Sequence, residues 1–115
     1  FFERDGDNLH ARANVSIVQA TLGTEIEIDG IFEDEKVQVR IPEGCQNEQV
    51  VRVRGCGMPK FRSDARGDMF VHVNVVVPKK VTKRQRELLE ELADEMGEDV
   101  SEARSPLQKL RDAFN

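Results

Sequence analysis

From residue 9 the chain alternates apolar and polar positions. Leu9, Ala11, Ala13 and Val15 fall on one side of an extended segment and His10, Arg12 and Asn14 on the other, which predicts a strand with one wet face. Residues 16–22, SIVQATL, break the alternation and run into Gly23, a pattern that suits a short helical turn halted by a glycine. Period two resumes at Ile26 and Ile28. From Lys36 to Ile41 the apolar Val37, Val39 and Ile41 alternate with Lys36, Gln38 and Arg40. Pro42 ends that strand, because it has no amide to give to a ladder. Val51 and Val53 alternate with Arg52 and Arg54, and Met69 to Val77 is the strongest strand pattern of all. Turn chemistry lies between these segments: Asp29-Gly30 and Glu33-Asp34 in one place, GCGMPKFRSDARGD in another.

After Pro78 the period changes from two to that of a helix. Thr82, Lys83, Arg84 and Gln85 form a T-x-x-Q capping box, predicting a helix over residues 83–96 that Gly97 stops. Leu88, Leu89, Leu92, Ala93 and Met96 share one stripe of it, while Arg86, Glu87, Glu90, Glu91 and Asp94 face water. Ser105 and Pro106 repeat the start signal, so a second short helix is expected to Phe114, with Leu107, Leu110 and Phe114 as its apolar positions. The expected fold is therefore mainly β: a small two-layer β-sandwich or barrel-like domain over residues 9–78, with a short helical turn, followed by a C-terminal helical tail over 79–115.

Composition narrows the function classes. A chain of 115 residues, 38% hydrophobic and 34% charged, can bury one core under a heavily solvated surface. The net charge of −5 argues against nucleic acid as a partner, since phosphate binding needs clustered Lys and Arg. No membrane segment is expected, because residues 69–77 are too short to span a bilayer and contain His72 and Asn74. The opening Phe1-Phe2-Glu3-Arg4 has neither a basic nor an apolar leader region, so no signal peptide is expected and the chain is taken as a piece of a longer protein. Cys45 and Cys56 are expected as reduced thiols in the cytoplasm, because an adequate core does not need a disulfide.

Several motifs act together beyond this pattern. Residues 2–8, FERDGDN, are followed by Ala20-Thr21-Leu22-Gly23-Thr24-Glu25-Ile26, Ile41-Pro42-Glu43-Gly44-Cys45-Gln46, Arg54-Gly55-Cys56-Gly57-Met58-Pro59 and Arg66-Gly67-Asp68-Met69-Phe70-Val71. In order and spacing over residues 1–96 they resemble the second carboxy-terminal β-domain and dimerisation tail of DnaJ-type (J-domain) co-chaperones. Cys45 stands where that family has Thr, Cys56 where it has Lys, and the turn over 29–35 is longer than usual. The resemblance implies that residues 1–8 are a hinge from a preceding β-domain. It also implies that the J-domain, the Gly/Phe-rich linker, the zinc-carrying domain and the first β-domain all lie outside these residues. It implies contact with unfolded or partly folded polypeptides, partnership with an ATP-driven DnaK-type chaperone through the full-length protein, and a homodimer. No enzyme activity and no cofactor in this region follow from it.

Cys45, Cys56, His10 and His72 offer four zinc-type ligands, but neither cysteine belongs to a CxxC pair, and no metal site is expected. Cys56, near Arg52, Arg54 and Lys60, has the charge a reactive thiol wants but no evident base. Arg66-Gly67-Asp68 is ordinary turn chemistry at the mouth of a strand, not an adhesion motif. Gly55 and Gly57 precede no helix and so cradle no phosphate. For client contact the candidates are Ile17, Val18 and Leu22, half exposed beside an edge strand; their other reading is plain core. For the dimer interface they are Leu88, Leu89, Leu92, Met96, Leu107, Leu110 and Phe114, because helices this short need their apolar face covered. A purely architectural dimerisation module without client contact is the alternative, and a thiol enzyme a more distant one.

Overall fold

A computed structural model describes residues 2–100, which fall into two units, 2–78 and 79–100. In the first, β1 (Phe2–Asp5), β2 (Asn8–Ser16), β5 (Val50–Val53) and β6 (Met69–Val76) form a four-stranded sheet in the order β1-β2-β6-β5. β3 (Thr24–Asp29) and β4 (Lys36–Ile41) pair antiparallel as a separate two-stranded sheet, and α1 (Ile17–Leu22) links β2 to β3. The mainly β expectation holds.

One core joins the two sheets. Leu9, Ala11, Ala13 and Val15 of β2 meet Met69, Val71 and Val73 of β6, with Val37, Val39 and Ile41 of β4 opposite and Ala20 of α1 closing one end. Val39, Met69 and Val71 have no exposed surface at all. These are the alternate positions of each strand, so the pleat alone turns them inward together.

The central pair, β2 with β6, runs parallel, which periodicity does not reveal. Its register sets Leu9 against Met69 and Val15 against Val75, so both apolar faces coincide. The segment expected as a hinge contains β1, an edge strand antiparallel to β2 with Asp5 opposite Asn8; Gly6 and Asp7 make the two-residue turn, and Gly6 adopts φ 60°.

A loop lock holds the ends of these strands. The amide of Met58 donates to the Asp7 carbonyl at 2.8 Å, and across the 54–68 loop the Gly57 amide donates to the Gly67 carbonyl while the Gly67 amide donates to the Met58 carbonyl. A Cβ on Gly67 would sit 2.0 Å from the Asp7 carbonyl oxygen, and one on Gly57 2.5 Å from it, so only glycine allows this approach. Each residue of the Arg66-Gly67-Asp68 turn then has a structural task. The Arg66 guanidinium pairs with Glu35 (2.5 Å), donates to the Gly57 carbonyl and lies 4.6 Å over the Phe32 ring. The Asp68 carboxylate accepts from Arg52 and from the Gly55 amide, and both hold its pKa below the usual carboxylate range. The turn over residues 29–35 is what brings Phe32 and Glu35 to Arg66.

In the second unit α2 spans Lys83–Met96. The Thr82 hydroxyl accepts from the Gln85 backbone amide and the Gln85 side-chain oxygen accepts from the Thr82 backbone amide, completing the capping box. Gly97, at φ 73°, donates its amide to Ala93 and Asp94 and ends the helix.

Candidate functional site

α1 exists because Ser16 caps it: its hydroxyl accepts from the Gln19 amide while the Gln19 side chain accepts from Ser16. Of its six residues only Ala20 is buried. Ile17 is half-buried, but Val18 is 56% exposed and Leu22 71% exposed, so the plain-core reading does not describe these two. Leu22 stands at the lip of an open groove of ≈ 630 Å³ whose walls include Thr24 and Glu25 of β3, Arg40 of β4 and Pro42. β3 and β4 pair only with each other among the described residues, which leaves each with one edge of unpaired amides and carbonyls. Apolar contact and a free sheet edge thus occur side by side.

The tail presents a second apolar surface. Leu88, Leu89, Leu92 and Met96 of α2 are 37–61% exposed, and Ala93 is buried. Arg86 and Glu90, one turn apart, form an ion pair at 3.3 Å. Leu107, Leu110 and Phe114 lie outside the described residues, as does the second short helix expected there.

The cysteines and histidines are not gathered into one site. Cys45 is buried in the core and its thiol donates to the Gln46 carbonyl at 3.6 Å. Cys56 packs against the core's edge. Burial pushes both thiols above the ordinary pKa, which disfavours the thiolate that a nucleophile or a metal ligand needs. No group of three or more His, Cys, Asp or Glu positioned for a metal occurs among the described residues.

The histidines instead meet each other on the outer face of the larger sheet. His10 Nδ1 is 2.8 Å from His72 Nε2. His10 also stacks on Phe70, centroids 5.5 Å apart, and its Nε2 lies 3.6 Å from the Asp5 carboxylate. The alternation of β2 and β6 puts each histidine on a strand face opposite the core, and the two meet because β2 and β6 are neighbours, which alternation does not reveal.

Comparison with known proteins follows this division. The family model described as the DnaJ C terminal domain matches residues 1–78, and that of the Chaperone protein DnaJ C-terminal region matches residues 84–115. Chaperone protein DnaJ of Acetobacter pasteurianus is 43% identical over 98% of this chain, and that of Gluconobacter oxydans 44% identical over 98%. The Rickettsia felis protein of the same name is 51% identical over 82% of the chain. The chain spans 30% of the length of the first two relatives and 25% of the third.

Proposed function

The chain belongs to the C-terminal region of the DnaJ chaperone family, and from that membership we propose that it gives a co-chaperone one arm for contacting unfolded polypeptide and one tail for joining two copies. The observation that carries this reading is the exposure of Val18 and Leu22, four residues apart on α1, with Leu22 at a groove walled by the two-stranded sheet whose edges are open. An extended polypeptide can add to such an edge through main-chain hydrogen bonds, which do not depend on its sequence, while Leu22 and Val18 cover one of its apolar side chains. A contact of this kind is weak and reversible, as suits handing a client on rather than keeping it.

The tail makes the weak contact useful. Two arms on one dimer give a client two simultaneous attachments, and avidity then exceeds what either arm supplies. The exposed leucine stripe of α2 supports the joining role, because an apolar face on a short helix needs cover. The longer protein delivers its client to an ATP-driven DnaK-type chaperone in the cytoplasm. The arm itself catalyses nothing, and the reading requires no cofactor in it. No helix among the described residues is long and apolar enough to cross a membrane.

The test is light scattering from reduced, denatured lysozyme as it aggregates, with increasing amounts of the chain. The wild type should delay aggregation, and the Val18→Asp, Leu22→Asp double variant should lose most of the delay while keeping its melting temperature, since both side chains are exposed. If the wild type delays nothing at any ratio, the arm is purely architectural and joins copies without touching clients.

A further inference from the structure

The two histidines on the outer face of the larger sheet have no part in client contact or in the tail. We propose that His10 and His72 form a binding site for one divalent transition-metal ion of the imidazole-preferring kind, with zinc as its reference ligand, Nδ1 of His10 and Nε2 of His72 as the protein ligands and water completing the shell.

The geometry is close to what such an ion requires. With metal–nitrogen bonds of about 2.0–2.1 Å and a tetrahedral angle, two ligating nitrogens stand about 3.3 Å apart. His10 Nδ1 and His72 Nε2 already face each other at 2.8 Å, so to admit an ion the rings must part by about half an ångström and tilt, because the ion sits off the line between the nitrogens that the shared proton occupies. Their backbones cannot drift, because β2 and β6 are the central pair of the sheet, with Arg12 opposite His72 and His10 opposite Phe70.

The surroundings supply the rest of the site. The Asp5 carboxylate lies 3.6 Å from His10 Nε2, the nitrogen pointing away from the ion; that is longer than a hydrogen bond, and a small swing of the exposed Asp5 side chain would complete the carboxylate–histidine–metal arrangement that fixes tautomer and ring orientation. Phe70 stacks on the same ring with an interplanar angle of 22°. Above the pair is an open cavity of ≈ 400 Å³, room enough for coordinated water, and it is also lined by Glu3, Arg4, Asp5 and Arg12. The two acids and two guanidinium groups offset one another, so the field neither repels nor traps a cation, and the ion is held by its two nitrogen bonds. Two protein ligands with an open shell suit a labile ion that comes and goes with its free concentration. Any ion bound there ties β2 to β6 and stabilises the folded arm by mass action.

The experiment is calorimetric titration of the chain with zinc chloride at pH 7.5, in a Cys45→Ser, Cys56→Ser background that removes the thiols as competitors. One ion per chain is expected, with a rise in Tm that grows with zinc concentration and zinc-induced shifts at the His10 and His72 ring nitrogens in nitrogen-15 spectra. His10→Ala and His72→Ala should each weaken binding at least tenfold and abolish the Tm rise, and Asp5→Asn should weaken it by about tenfold through the loosened ring. Circular dichroism of each variant confirms that it is folded. Absence of binding up to millimolar zinc overturns the proposal. So does binding that survives His72→Ala in a folded chain, or a stoichiometry of half an ion per chain, which would place the ion between two copies.

Discussion

His10 Nδ1 lies 2.8 Å from His72 Nε2 although 62 positions separate the two residues. The register makes them diagonal neighbours on adjacent strands, near enough for two rings to touch. In metal-free buffer one ring donates and the other accepts, and such a bond is worth about 0.5–1.5 kcal/mol net. A double-mutant cycle of His10→Ala and His72→Ala, read by urea unfolding with a chelator present, should return a coupling energy of that size. Strictly additive single losses would show that the pair contributes nothing.

The Arg66–Glu35 pair predicts a pH dependence. Hydrogen bonds from Arg66 hold the Glu35 carboxyl below its usual pKa, so the folded state binds its proton less readily than the unfolded one. Its stabilisation is therefore complete above the unfolded pKa, about 4.3 for a glutamate, and fades as pH falls through the lower folded value. Arg66→Ala should cost about 2 kcal/mol at pH 7, the scale of a part-buried bond to a charged group. The difference from wild type should shrink once the pH is well below 4. A gap that stays constant down to pH 2 would assign the loss to the Phe32 stacking instead.

Much of this fold was legible because its elements obey local rules. α2 starts at the capping box that the sequence pattern predicts, Thr82 with Gln85, and α1 falls where the alternation breaks before Gly23, its own cap of Ser16 with Gln19 emerging only in the structure. β4 has the expected bounds because Val37, Val39 and Ile41 alternate without a break. The parallel pairing of β2 with β6 was not legible, since period two tells which face a residue takes and says nothing about which strand lies beside it. β1 was missed for a different reason: its four residues FERD carry one apolar side chain, and the available signal was the Gly6-Asp7 turn before a strong strand. At the candidate sites, the exposure of Leu22 follows from the brevity of α1, a helix too short to bury more than Ala20.

Gly67 is where the loop lock is least forgiving. Its missing side chain leaves space for the Asp7 carbonyl, and both partners are backbone that cannot rotate aside. Gly67→Ala should destabilise by at least the upper end of the ~1–3 kcal/mol usual for overpacking. Gly44→Ala is the comparison: a Cβ there meets nothing within 4 Å, and its cost is the left-handed backbone at φ 74° alone. Equal losses at the two sites, measured by denaturant unfolding, would contradict the lock.

The tail prediction uses an exposed side chain to separate folding from assembly. Leu92 is 52% exposed in the single chain, so Leu92→Asp should leave the helix formed. In a dimer seam built from Leu88, Leu89, Leu92 and Met96 the same carboxylate is buried and unpaired, which costs several kcal/mol. Sedimentation equilibrium at tens of micromolar should show a dimer for the full chain, and monomers for Leu92→Asp and for a chain truncated after Val81. A monomeric full chain, or a truncated chain that remains dimeric, would end the assignment.

The parallel pairing of β2 with β6 also governs how the arm comes into being during synthesis. β2 is complete at Ser16, but its central partner begins only at Met69, so the sheet cannot close until nearly all of the first unit has left the ribosome. The hairpin of β1 and β2 and the hairpin of β3 and β4 are local and can form early, whereas the long loop closure comes last and sets the rate. Until then Leu9, Ala11, Ala13 and Val15 face water. A nascent chain stalled before Met69 is therefore an aggregation-prone polypeptide, of the very kind that the finished domain is proposed to hold.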